Sequence, residues 1–166
     1  MVAFMDSEKN NLVVEINSSF FLRFGLFLLA MMVIFYFLAP YYISLKLAII
    51  KPALDILYGQ HTAPYIRSIP AYRGLSISLV CFFSLISASL HKTEVFPFFQ
   101  KQWIKVIGFT ILIVLYEIIA VLIEIVSTGF IGYYITALLL SVSSIIIALL
   151  LWFLLFPSLR RYFNQI

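Results

Sequence analysis

Glu117 and Glu124 are the residues most able to do chemistry in this chain. Both lie in the strongly apolar run IKVIGFTILIVLYEIIAVLIEIV. A spacing of seven residues is two helical turns, so one helix presents both carboxylates on one face. A carboxylate held at mid-span in hydrocarbon costs about 2.5 kcal/mol or more, so it faces other helices or water. Glu117 falls near the middle of its segment and Glu124 near the end, within reach of the interface. Two chemistries follow. In one, a carboxylate handles a proton or cation, or meets a basic group on another subunit. In the other, a protonated Glu bonds a serine or a backbone carbonyl inside the bundle. Arg23 and Lys105 sit near helix ends, so the expected partner of Glu117 lies on another chain.

Serines supply the next polar face. Ser76, Ser84 and Ser87 fall close to one side of a second apolar segment, and Ser141, Ser143 and Ser144 recur in the last. Small residues let membrane helices approach closely and add hydrogen bonds, so Ser84 and Ser87 are candidate partner contacts. A nucleophilic serine needs a base, and no His lies in an apolar segment. Cys81, the single cysteine, sits ten residues before His91, about 15 Å along a helix, and so lacks a group to activate it. His61, Arg67 and Arg73 share a connecting segment with Tyr41, Tyr58, Tyr65 and Tyr72. They are candidates for contacting an anionic headgroup or a partner, or for interfacial anchoring. No CxxC, HExxH or Gly-rich phosphate loop occurs. The sequence therefore predicts no catalytic centre, no metal site and no cofactor.

Composition dictates the setting of these residues. Apolar residues make up 64% of the 166 and charged residues 11%, too few charges to cover a soluble domain. The formal charge of +4 is dispersed, with Arg160-Arg161 the longest basic run, so nucleic-acid binding is not expected. Membrane lipids and other membrane subunits, or further copies of the chain, are the expected partners. The first residues carry Asp6, Glu8 and Glu15 rather than a basic leader, so the first apolar segment reads as a retained helix.

The hydropathy pattern predicts an all-α polytopic membrane protein: a four-transmembrane-helix bundle in one domain, 1–166. The spans are expected at 19–39, 74–90, 104–126 and 131–156, each near the ~20 residues that cross a hydrocarbon core. Ser18 and Ser19 are candidate caps of the first, and Pro40 is expected to stop it. Residues 41–73 then form an interfacial amphipathic helix, kinked at Pro52, and an outer loop. The segment 41–58 holds Lys46, Lys51 and Asp55 and reads as too charged to span. With four spans, Lys9, Arg23, Lys92, Lys101, Lys105, Arg160 and Arg161 share one side, against Lys46, Lys51, Arg67 and Arg73 on the other. The positive-inside bias puts both termini in the cytoplasm. High Ile, Phe and Tyr fits a bacterial inner membrane.

Three stretches carry a family resemblance. They are FFLRFGLFLLAMMVIFYFLAPYY, YRGLSISLVCFFSLISA, and the pair EIIAVLIEI and LLLWFLLFPSLRR. Together they resemble the small membrane proteins encoded beside exosortases, the transpeptidase-like membrane enzymes of bacteria. The resemblance implies an accessory protein in sorting or processing of exported proteins, not an independent enzyme. The expected function is thus a non-catalytic accessory or assembly subunit of a membrane complex. Proton- or ion-coupled transport through Glu117 is the first alternative. A lipid-headgroup-directed enzyme using His61, Arg67 and Arg73 is the second.

Overall fold

The computed structural model describes residues 14–59, 76–90, 93–127 and 130–164, and all the regular structure among them is helical. Helix α1 spans Ser18–Tyr58, α2 Ile77–Ser89, α3 Val95–Val126, α4 Phe130–Leu155 and α5 Pro157–Phe163. Three helices are long and apolar enough to cross a membrane, in Ser18–Ala53, Val95–Val126 and Tyr134–Leu155. They mark the chain as a membrane protein. Their outward residues are large and apolar, among them Phe21, Leu29, Phe37, Ile111, Leu138 and Leu150. Lipid leaves such side chains uncovered at no cost, which water would not.

Helix α1 departs most from expectation. It starts on Asn17, whose side chain accepts a hydrogen bond from the Phe20 amide at 2.9 Å, rather than on Ser18 or Ser19. It does not stop at Pro40. The helix runs through Pro40 and Pro52 for 41 residues, about 61 Å, so residues 41–58 continue α1 instead of forming a separate interfacial helix. A proline inside a helix forfeits one hydrogen bond and costs about 3 kcal/mol in water. In an apolar medium, leaving the helix would strand more backbone groups than that. Ser44 Oγ also donates to the Pro40 carbonyl at 2.8 Å, one turn back along the same helix.

Helix α2 is the second departure. Expected as a span over 74–90, it is a helix of 13 residues, about 20 Å, shorter than a hydrocarbon core of about 30 Å. Ten of those residues are buried, because the longer helices surround it. Helix α3 begins at Val95, nine residues before the expected start at 104, with Pro97 tolerated in its first turn. Trp103 and Lys101, in the early turns, face outward. Helix α4 covers Phe130–Leu155 against the expected 131–156, and α5 restarts at Pro157, where proline suits a first turn.

Aromatic contacts fix the helix directions. Phe20 at the start of α1 lies 5.8 Å from Trp152 near the end of α4, and Phe98 at the start of α3 stacks on Phe156 at 5.4 Å. The beginnings of α1 and α3 and the end of α4 therefore share one end of the bundle. Phe82, Ile86 and Ile113 fill its middle with essentially no exposure. The end of α2 is tied to this same end of the bundle, since the Trp152 indole N–H donates to Ser89 Oγ at 2.8 Å. Trp152→Phe keeps the ring but removes that donor, and membrane interhelical bonds contribute about 0.6–1.7 kcal/mol. The variant is expected to lose about that much stability in denaturing-detergent titrations. Cys81, buried in the core, serves as the readout, its thiol reacting with maleimide as the bundle opens.

Candidate functional site

The polar groups of three helices meet around Glu117. Its residue is 1% exposed. From α2, Ser78 Oγ donates to Glu117 Oε1 at 2.5 Å. From α1, Lys46 Nζ lies 3.6 Å from Glu117 Oε2. Ser76 Oγ extends the chain, 3.4 Å from Ser78 Oγ. The Lys46 ammonium also sits 5.0 Å from the centre of the Tyr42 ring, one turn earlier on α1. The buried Tyr42 hydroxyl is directed into the same cluster, within the influence of Ser76 and Glu117.

Each element places its member for a local reason. Tyr42 and Lys46 are four apart, so both fall on the inward stripe of α1, and Ile50 extends it. A lysine side chain on a helix leans toward the helix N-terminus, which draws the ammonium back into the bundle. Ser76 is the N-cap of α2 and Ser78 lies in its first turn. The carboxylate of Glu117 therefore meets the positive end of α2, an arrangement that favours an anion. Glu117 lies nine residues before the end of α3, about 14 Å along the axis. It is not at mid-helix, because α3 starts earlier than expected.

Magnitudes show what the pair does. At 3.6 Å and an effective dielectric near 20, attraction between two unit charges is about 4–5 kcal/mol. Burying each ion costs several kcal/mol, so the two effects nearly cancel. The pair adds little net stability, but removing one partner alone is costly. This overturns the expectation that Glu117 needs a cation from another subunit. Lys46 meets it, and it does so because α1 continues past Pro40.

The remaining sequence candidates divide clearly. Glu124 is 3% exposed on the same face of α3, rather than open to water at the interface. Its backbone carbonyl accepts from Ser127 Oγ at 2.8 Å. Ser84 is buried, yet its hydroxyl donates to the Val80 carbonyl of its own helix at 2.6 Å, so it bridges no helices through that bond. Ser87 is half-buried. Ser143 does bridge helices, sharing a hydrogen bond with the Tyr116 hydroxyl. His61, Arg67 and Arg73 lie outside the described residues. Sequence reasoning missed Lys46, Ser78 and Tyr42. For Tyr42 and Lys46 the signal was their four-residue spacing with Ile50, which continues a helical stripe through Pro40.

Among the described residues, no three or more His, Cys, Asp or Glu side chains converge as metal ligands would. No family model, curated protein or solved structure matches the chain, so the exosortase-associated resemblance rests on the quoted stretches alone.

Glu117→Gln keeps a partner for Ser78 but removes the charge that Lys46 Nζ faces at 3.6 Å. Breaking a buried pair from one side costs about 3–5 kcal/mol. Replacing both, as in Lys46→Met with Glu117→Leu, removes both buried charges together and is expected to recover most of that loss. Parallel detergent unfolding of the single and double variants, followed at Cys81, measures the difference.

Proposed function

We propose that this chain is a small non-catalytic membrane subunit that acts by packing against other membrane proteins, as an accessory or assembly component of a larger complex. One observation carries the reading. The apolar stretch of α1 has no buried residue across its most hydrophobic window, although α1 is the longest helix. Phe21, Leu22, Leu29, Met32, Tyr36 and Phe37 stand outward along it. The ionisable groups of the cluster, by contrast, are turned inward and engage one another. A helix so lightly covered by its own bundle is suited to pack against another membrane helix, where association depends on van der Waals fit. The resemblance extends the proposal to systems that sort or process exported proteins.

The membrane setting proposed is a bacterial inner membrane, with α2 and its flanks making a fourth crossing. The end bearing Arg23, Lys101, Lys105 and Arg160 then faces the cytoplasm together with both termini. Ion- or proton-coupled transport is the second reading, favoured by the buried Lys46–Glu117 pair, since ionisable groups within spans often mark ion pathways.

A photo-crosslinking residue at Leu29 or Phe37, activated in native membranes before purification into nanodiscs, separates these readings. The accessory reading expects a stoichiometric adduct to a distinct membrane protein, weaker from an inward position such as Phe20. Adducts to lipid alone would sink it. Proton flux in liposomes of the purified chain, abolished by Glu117→Gln in protein that still folds, would establish the transport reading instead.

A further inference from the structure

We infer that the cleft between α2 and α3 is a binding groove for one acyl chain of a membrane phosphoglyceride, whose headgroup lies at the basic end of the bundle. This inference concerns a different face from the accessory reading and does not depend on it. The groove has a volume of about 380 Å³. Its walls are Phe83 of α2 and a stripe of α3 from Phe99 through Trp103, Val106 and Thr110 to Ile111. That volume is within the roughly 300–1,000 Å³ of pockets that hold small ligands. The groove arises because α2 packs chiefly against α1 and α4. The buried Phe82 meets Phe109 of α3 edge-on at 6.3 Å on the inner side, while Phe83, the next residue, turns to the groove. On the outer side Trp103, Ile107 and Ile111 are each about half exposed, so the groove opens onto lipid.

The walls select for hydrocarbon. Thr110 carries the one hydroxyl along them, and that hydroxyl is spent on the Val106 carbonyl at 2.7 Å. An occupant of the groove must therefore be apolar. From Phe99 to Ile111 the helix advances about 18 Å, close to the ~15 Å of hydrocarbon in one leaflet. A helix about 10 Å across would displace roughly 1,400 Å³ over that length, so it cannot enter. A single acyl chain is slender enough to do so, and the bilayer supplies it at the right depth.

The mouth suits the polar part of the same molecule. Trp103 stands there, and an interfacial tryptophan keeps its ring in hydrocarbon and its N–H in the wet region. The Trp152 indole N–H is taken by Ser89, whereas that of Trp103 has no acceptor among the described residues. It is available to an ester or phosphate oxygen. Lys101 and Lys105 are exposed on the outer side of the same turns of α3. Among the described residues this end carries Arg23, Lys101, Lys105 and Arg160 against Glu15 and Glu94, so its field favours an anionic headgroup.

Native mass spectrometry of the delipidated protein, titrated with dioleoyl phosphatidylglycerol, tests this. One lipid per chain is expected to persist where loosely held surface lipid is lost. Thr110→Phe fills the groove and is expected to weaken that binding about tenfold or more. Leu112→Phe, on the outward face of α3, leaves it unchanged. Ile107→Trp closes the groove from its exposed rim and serves should Thr110→Phe not fold. Folding is judged by Cys81 staying closed to maleimide. Trp103→Phe keeps the wall but removes the donor, for a loss of about two- to tenfold, the worth of one hydrogen bond. Phosphatidylcholine of the same chains is expected to bind more weakly, and equal binding of the two would overturn the headgroup assignment. A photo-crosslinking residue at Ile111, activated in native membranes, is expected to capture lipid. No retained lipid, equal retention by the groove-filling variants and Leu112→Phe, or an Ile111 adduct to a second copy or another protein overturns the proposal.

Discussion

A carboxylate in hydrocarbon must be met by something, and the way Glu117 is met determines much of the rest. Its partners come from two other helices, Lys46 of α1 and Ser78 of α2. For Lys46 to arrive, α1 must stay helical beyond Pro40. For Ser78 to arrive, α2 must begin at the level of Glu117 and not at a membrane surface. The register of α3 against both is then fixed, because a slip of one residue would turn the carboxylate about 100° away. One desolvated group thereby couples the length of one helix, the starting point of a second and the rotation of a third.

The opposite end of α2 is held by different chemistry. There the Trp152 indole donates to Ser89, among the stacked and edge-on rings of Phe20, Phe98 and Phe156. Aromatic packing supplies area and shape, while the single hydrogen bond supplies direction. Helix α2 is thus pinned at its first turn by hydroxyls on a charge and at its last by a hydroxyl on an indole. Ser84 and Ser141, which return their hydroxyls to their own helices, contribute smallness and not bridging.

The sequence announces a helical membrane protein because composition and hydropathy are sums over many residues, and no single contact changes them. It also announces Glu117, because a charge in an apolar run is conspicuous. Lys46 is concealed by the prolines around it. Pro40 reads as a boundary and Pro52 as a kink under rules calibrated on helices in water, where a broken helix is rescued by solvent. In lipid the alternative to a strained helix is worse, so the helix runs through both residues. Ser78 was hidden differently. Its role depends on which turn of α2 meets Glu117, a pairing that no local pattern contains. The candidate face Ser76, Ser84 and Ser87 was judged by spacing within one helix, whereas the partner is chosen by the depth at which two helices cross.

The shortness of α2 follows from this geometry. A helix of 13 residues cannot satisfy lipid on its own, since its ends would fall inside the hydrocarbon with unbonded amides and carbonyls. Two conditions make it tolerable. Longer helices must cover it laterally, which the burial of ten of its residues shows they do. Polar groups must also be present where it starts, and there the Ser76, Ser78 and Glu117 cluster stands in for the water that a surface helix would have. Glu117 is then more than a cost that Lys46 offsets. Its negative charge lies against the positive end of α2, so the charged residue and the short helix stabilise one another. Neither would be expected in an apolar bundle alone, and each gives a physical reason for the other's presence.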